Sequence, residues 1–327
     1  MKLLFNFKLI TILGISLTVL FFAYFPNLKA PTLLGDTVIP GTLNERASVD
    51  QNGAFNFSIP IDVPPGISGM QPNLSLTYNS QQQNGILGMG WALSGFSSIE
   101  RTKRIQAIDD VNGTINYDSN DKFAYQGQRL IVLSGDYAAD GSVYRTELES
   151  WQQFTANGAA GSGPEWFSVQ SKDGRIFEQG NTSDSQILAD GKSDVRAWNV
   201  NKITDSNGNA MIFTYTDDPL NNGTSDYHGY PLEIAYTVNC NAQGDSDCSS
   251  ADANRSVQFQ YEARDDISRT FIGGSEIQMS ARLSRIQTYV GDEIVSDYRM
   301  DYEESDATGR SRLLSVSRFE SDSSSAA

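Results

Sequence analysis

Apolar and polar residues alternate along most of this chain, and that alternation, not helical spacing, is its dominant signal. In Phe55-Asn56-Phe57-Ser58-Ile59-Pro60-Ile61 every second residue is apolar, and residues 74–79 repeat the pattern with Leu74, Leu76 and Tyr78. A period of two puts one set of side chains on one sheet face, so both runs predict strands. Pro60 cannot donate to a ladder, which predicts an edge position or an end for the first strand. Between the runs, Pro64, Pro65 and Pro72 fix the backbone and remove donors, while Gly66 and Gly69 permit turns. Gly85, Gly88 and Gly90 follow, with Trp91 beside them. Without Cβ atoms the backbone there can approach another backbone, and the indole can cover the gap. A phosphate-holding glycine loop needs a helix after it. Residues 92–99 lack helical periodicity, so the glycines predict a packed β corner.

The same signal continues downstream. Residues 121–132 read as a hairpin with its turn at Gly127-Gln128, and residues 143–154 read as strand after a turn at Asp140-Gly141. Residues 157–164 form a loop. Residues 166–170 and 176–178 flank Lys172-Asp173-Gly174-Arg175, and residues 198–203 and 210–215 flank Asp205-Ser206-Asn207-Gly208-Asn209. Asp-Gly and Asn-Gly between alternating runs are strong hairpin signals. Residues 232–238, 257–261, 283–290 and 294–302 are strands by alternation, whereas residues 265–280 are ambiguous. Arg101-Thr102-Lys103-Arg104-Ile105 predicts a solvated strand end. The fold class is mainly β, built from antiparallel hairpins.

The first 30 residues differ. Lys2 and Lys8 precede an apolar run over residues 9–25, and Ala30 offers a small residue for cleavage. This reads as a secretion signal. The run also approaches the roughly 20 residues of a membrane span, so an uncleaved N-terminal anchor helix is the alternative. The rest of the chain is then secreted and extracellular, or held at the inner membrane facing the periplasm. Residues 31–48 read as an extended lead-in, 49–318 as the β domain and 319–327 as a disordered Ser-rich tail. A net charge of −16 argues against a nucleic-acid surface, which needs clustered Lys and Arg. Two cysteines, Cys240 and Cys248, bracket a short polar loop. In an exported chain they predict a disulfide. A metal site would need two more ligands, and the single histidine is His228.

The stretch Ser58-Ile59-Pro60-Ile61, Val63-Pro64-Pro65-Gly66, Gly69, Pro72, Leu74-Ser75-Leu76 and Tyr78-Asn79-Ser80 continues into Gly85, Leu87-Gly88, Gly90-Trp91, Leu93-Ser94-Gly95 and Ile99. In this order it resembles the SpvB-type N-terminal domain, named for the Salmonella virulence plasmid B protein. The same domain opens the B subunit of bacterial insecticidal toxin complexes, the Tc toxins. The resemblance extends more loosely to about Val316. Its structural signature is carried by Pro60, Pro64, Pro65, Gly66, Pro72, Tyr78, Gly88, Gly90 and Trp91. The hairpin from Ile203 to Tyr215 resembles one unit of the Rhs/YD repeats, without a strict period along the chain. The resemblance implies a large curved sheet, part of an Rhs/Tc-type β shell around a toxic C-terminal segment. It implies Rhs-repeat or Tc toxin subunits, or a downstream toxin chain, as partners. Membrane contact is expected only through residues 9–25. A surface-anchored adhesion or binding module is the other reading.

Candidate chemistry is sparse. Glu147-Leu148-Glu149 has the E-x-E spacing of ADP-ribosyltransferases, an activity that SpvB itself carries in a separate C-terminal domain. Here the pair falls in a strand-like run, where alternate charges mark a solvent face. His228 could serve a hydrolase triad, but there is no G-x-S-x-G elbow. Asp205-Ser206-Asn207-Gly208-Asn209 and Asp245-Ser246-Asp247 offer hard oxygens for calcium without forming a complete EF loop. We expect no catalytic residues and no cofactor, with calcium the one ligand to consider.

Overall fold

The computed structural model describes residues 46–240 and 248–320. The signal or anchor segment, most of the lead-in, Asp245-Ser246-Asp247 and residues 321–327 lie outside the described residues. Strand accounts for 57% and helix for 4%.

The first sheet is small. Strands β1 (Arg46–Val49), β2 (Phe55–Ile61) and β3 (Leu74–Asn79) come first, then a tiny hairpin of β4 (Asn84–Gly85) and β5 (Gly88–Met89), then β6 (Trp91–Ser94). Its antiparallel order is β1-β2-β3-β6. A meander follows: β7 (Ser98–Thr102), the one-turn helix α1 (Gln106–Asp109), β8 (Lys122–Tyr125), β9 (Gln128–Ser134), β10 (Val143–Thr146), β11 (Gln152–Asn157), β12 (Trp166–Ser171) and β13 (Ile176–Gln179). After the short β14 (Gln186–Leu188) comes β15 (Val195–Thr204), which pairs with both β7 and β13. That double pairing closes an eight-stranded barrel.

The chain then leaves the barrel along β15. Strands β16 (Asn209–Thr216), β17 (Tyr230–Asn239), β18 (Arg255–Ile272), β19 (Ser275–Val290), β20 (Glu293–Glu304) and β21 (Ser311–Glu320) follow one another as an open antiparallel meander. β15 belongs to both parts. Its first half pairs β7 and β14, and its second half pairs β13 and β16.

Two cores result. Inside the barrel Phe123, Tyr144, Phe154, Phe167 and Trp198 are fully buried. The Trp198 ring meets Phe123 at 5.4 Å and Phe167 at 5.2 Å, both edge-on. An eight-stranded barrel has room for side chains and little else, so this interior is a packed core and not a channel. The second core lies between the small sheet and the open one. There Ile59, Leu74, Leu76 and Trp91 pack against Phe213, Tyr236, Leu283 and Tyr298. Burying a side chain of this size contributes about 1.5–3 kcal/mol. Phe177 packs against both cores.

Four expectations change. The curved antiparallel sheet is present, but part of it closes on itself because β15 pairs with both β7 and β13. The run at 143–154 is two strands, separated by a turn at residues 147–151. Residues 265–280 are strand, forming the distal half of the β18–β19 hairpin. Arg101 is not solvated: it is 5% exposed, on the same face of β7 as Ile99. The pleat sends positions 99 and 101 the same way, here into the barrel. Its Nη1 pairs with Asp121 at 3.1 Å and its Nε donates to the Val195 carbonyl oxygen at 2.7 Å, while Nη2 lies 4.0 Å from Asp194 without a hydrogen bond. The Phe123 and Trp198 rings lie about 6 Å away.

Candidate functional site

The signature residues converge on one corner of the small sheet. Strand β2 runs through Pro60 to Ile61, with Pro60 opposite Ser75 of β3. β1 reaches only as far as Ser58, so the other side of Pro60 faces no strand of this sheet and its missing N–H disrupts no ladder. Pro64 is buried, and its carbonyl oxygen accepts a hydrogen bond from the Tyr236 hydroxyl at 2.8 Å. Gly66 is needed for space: a Cβ there would sit 1.9 Å from the Met70 carbonyl oxygen. Pro72 is buried at the entry to β3, while Pro65 is exposed. Tyr78 packs on Trp91 at 5.4 Å, and Trp91 meets Phe57 edge-on at 6.1 Å.

Two glycines join this corner to its surroundings. Gly90 has φ +80°, and a Cβ there would enter the Tyr78 ring. Gly88 has φ +83°, and a Cβ there would lie 2.5 Å from the Ser311 carbonyl oxygen of β21. The glycine corner therefore seats directly on the first residue of the last strand. Arg318 of β21 also pairs with Asp62, just past β2.

β21 ends the strand order of the large sheet. Among the described residues no strand pairs its outer side. Its Leu313 and Val316 are buried in the core beneath the small sheet. It contains no proline, the usual device against edge pairing. The sequence reading did not assign this strand, although Leu314 and Val316 alternating with Ser315 and Ser317 carried a weak signal.

The candidate chemical groups are not brought together. Glu147 and Glu149 are exposed in the turn between β10 and β11. Thr146 forms that turn by donating its hydroxyl to the Leu148 carbonyl oxygen, and the Glu149 carboxylate accepts the Trp151 N–H at 2.8 Å. Glu147 lines a shallow cavity with Lys103 and Arg129. His228 lines another, beside Arg196. Burial, then the Arg196 charge, lowers the His228 pKa to about 4. The Asp205 carboxylate is occupied within its own hairpin, accepting the N–H groups of Asn207 and Asn209 and the Asn209 side-chain amide. Cys240 and Cys248 are joined, with Cα atoms 4.9 Å apart.

An antiparallel barrel continued by an open, half-roofed sheet, with no strand beyond β21 among the described residues, defines an all-β class of domain. Residues 49–147 match the family model described as Salmonella virulence plasmid 65kDa B protein, so the chain carries an SpvB-type segment there. The fold is shared with solved structures. The crystal structure of TcdB2-TccC3 matches 84% of this chain at TM-score 0.68 and 20% identity. This chain spans 16% of that one. The Photorhabdus luminescens Tc holotoxin pore matches 84% of this chain at 0.67 and 19% identity, over 15% of its own length. The N-terminal domain of the effector SpvB from Salmonella typhimurium strain LT2 matches 80% of this chain and 98% of its own, at 0.62 and 18% identity. No curated protein matches the chain by sequence.

Proposed function

We propose that this chain is a non-catalytic structural module of an exported bacterial toxin system, and that β21 is where the larger assembly continues. The observation that carries the proposal is the outer side of β21, a ten-residue strand that no other strand pairs there among the described residues. Backbone groups left open along such a strand pair readily with another strand. The fold likeness to Tc toxin chains, of which this chain spans about a sixth, supports the view that more β structure adjoins it. In this reading the strands supply shape, and the following segment or a partner subunit extends the sheet into a shell around a toxic segment.

Co-purification of the chain from its native cells tests this. Recovery of a larger Rhs-type or Tc-type polypeptide is the expected result. A solitary chain in the membrane fraction would sink the proposal and favour a surface-anchored binding module. The Cys240–Cys248 bridge fits export, and alkylation should add mass to the exported chain only after reduction.

A further inference from the structure

The hairpin of β18 and β19 reaches beyond the open sheet. Its ladder is interrupted where Ala263 faces Ala281 and Ser268 faces Met279, so residues 264–267 lie opposite residue 280 alone. Arg264 fills this bulge. It forms a two-pronged contact with Asp266 at 2.8 Å and donates to the Gly85 carbonyl oxygen and the Asn84 side chain. On the other strand Ser280 donates its N–H and hydroxyl to the buried carboxylate of Asp226. Past these two nodes the arm lies against the barrel. Its tip is held by the Tyr117 hydroxyl, which donates to the Ile272 carbonyl oxygen at 2.7 Å.

The arm does not press flat on the barrel wall. A cavity of about 290 Å³ remains beneath it, with Glu100, Arg196 and Asn199 on the barrel side and Ser268, Thr270 and Met279 on the arm. Arg196 is 8% exposed. One of its terminal nitrogens donates to the Tyr227 carbonyl oxygen, but its Nε is buried with no partner. An unmet donor of this kind is costly, and it is charged. Glu100 lines the same cavity and accepts a long hydrogen bond from the Ser98 hydroxyl, 3.4 Å. Among the described residues no ion pair joins Glu100 to Arg196. Opposite charges thus share one chamber without meeting.

We propose that this chamber binds a small aliphatic amino acid as its zwitterion. The carboxylate would pair with the Arg196 guanidinium and the ammonium would donate to Glu100. The hydrocarbon would lie on Ile187, Ile277 and Met279, which complete the lining. His228, at the chamber's edge, is neutral at pH 7 because burial and the Arg196 charge disfavour its proton, so the chamber holds one charge of each sign. A net charge of −16 repels simple anions, whereas a zwitterion carries no net charge to repel.

Calorimetric titration of L-leucine into the purified full chain tests this, with isovalerate and isoamylamine as single-charge controls. Leucine should bind, and each control should bind at least about ten-fold more weakly. Glu100→Gln, at an exposed position, should weaken leucine about ten-fold while leaving the ligand-free melting temperature unchanged. Arg196→Lys should weaken it by a similar factor, because an ammonium cannot match the planar guanidinium at a carboxylate. Absence of heat with millimolar leucine would mean that water alone fills the chamber and would overturn the site. Equal affinity for leucine and isovalerate would overturn the zwitterion assignment.

Discussion

The barrel and the open sheet are made from the same antiparallel hairpins, yet they end differently. In the barrel β13 reaches back to β15, every strand is paired on both sides, and aromatic rings fill the interior. In the open sheet the meander runs on from β15 to β21 without returning, and one face is covered by the small sheet. Closure makes a unit complete in itself, with no edge to protect. The open part is stabilised by the roof on its face, and among the described residues no strand pairs the outer side of its last strand.

The comparison is tested hardest at Trp198, in the strand common to both. Trp198→Ala removes the hub of the barrel's aromatic core and the indole hydrogen bond to the Glu165 carbonyl oxygen. We expect a loss of about 3–5 kcal/mol in denaturant unfolding. Because β15 also carries Val200 of the second core, the loss should appear as one shifted transition. Two resolved transitions would show that the shared strand does not couple the regions.

Asp121→Asn should cost somewhat less, about 3 kcal/mol, by leaving the buried Arg101 charge with only Asp194, 4.0 Å away, to balance it. Asp121 also accepts the N–H groups of Asn116 and Tyr117, and Tyr117 holds the tip of the β18–β19 arm. Hydrogen exchange should therefore quicken at the arm tip as well as in the loop before β8. Protection unchanged at residues 270–275 would show that the arm is held from its base alone.

What could be read from the sequence divides along the same line. Turns that bring neighbours together are written locally: Asp173-Gly174 and Asn207-Gly208 place β12, β13 and β16 within a residue, while β15 starts three residues before its expected beginning. Barrel closure depends on Ile99 meeting Trp198, a pairing between residues far apart in sequence that no local pattern encodes. Arg101 was misread because its partner Asp121 is also distant, and a charged residue on an inward parity looks solvated until its counter-charge is known. The strand expected at 143–154 is broken by Thr146 turning its hydroxyl onto the backbone and by Trp151 at φ 57°, a conformation that residue identity does not signal. The signature corner was legible as a corner. Its contact with β21 was not, because Gly88 owes its necessity to Ser311.

That contact offers a test confined to the open part. Gly88→Ala forces a Cβ toward the Ser311 carbonyl oxygen and imposes a left-handed backbone on alanine. We expect about 1–2 kcal/mol of destabilisation. Exchange should quicken at residues 311–316 with the barrel amides unaffected. Equal loosening of barrel and sheet would break the distinction between them.

The smallest effect concerns the seam between the two regions, where His228 sits among Arg196, Asp226 and Arg264. Its pKa falls from 6.5 to about 4, first through burial and then through the Arg196 charge. The unfolded chain therefore takes up this proton at a higher pH than the folded chain does. Stability from this group is fully present above pH 6.5 and is lost as pH falls from 6.5 to about 4. The full depression would be worth about 3 kcal/mol, but the ring is only half-buried, so about 1 kcal/mol is expected. The chain has one histidine, which leaves this window clear of any other. Carboxylates with depressed values, Asp266 foremost, act below it: their stabilisation is present above about pH 4 and lost under it. Unfolding free energies measured at pH 7 and pH 4.5 should differ in the native chain and converge in His228→Gln. If the difference survives the substitution, the seam does not carry the acid sensitivity.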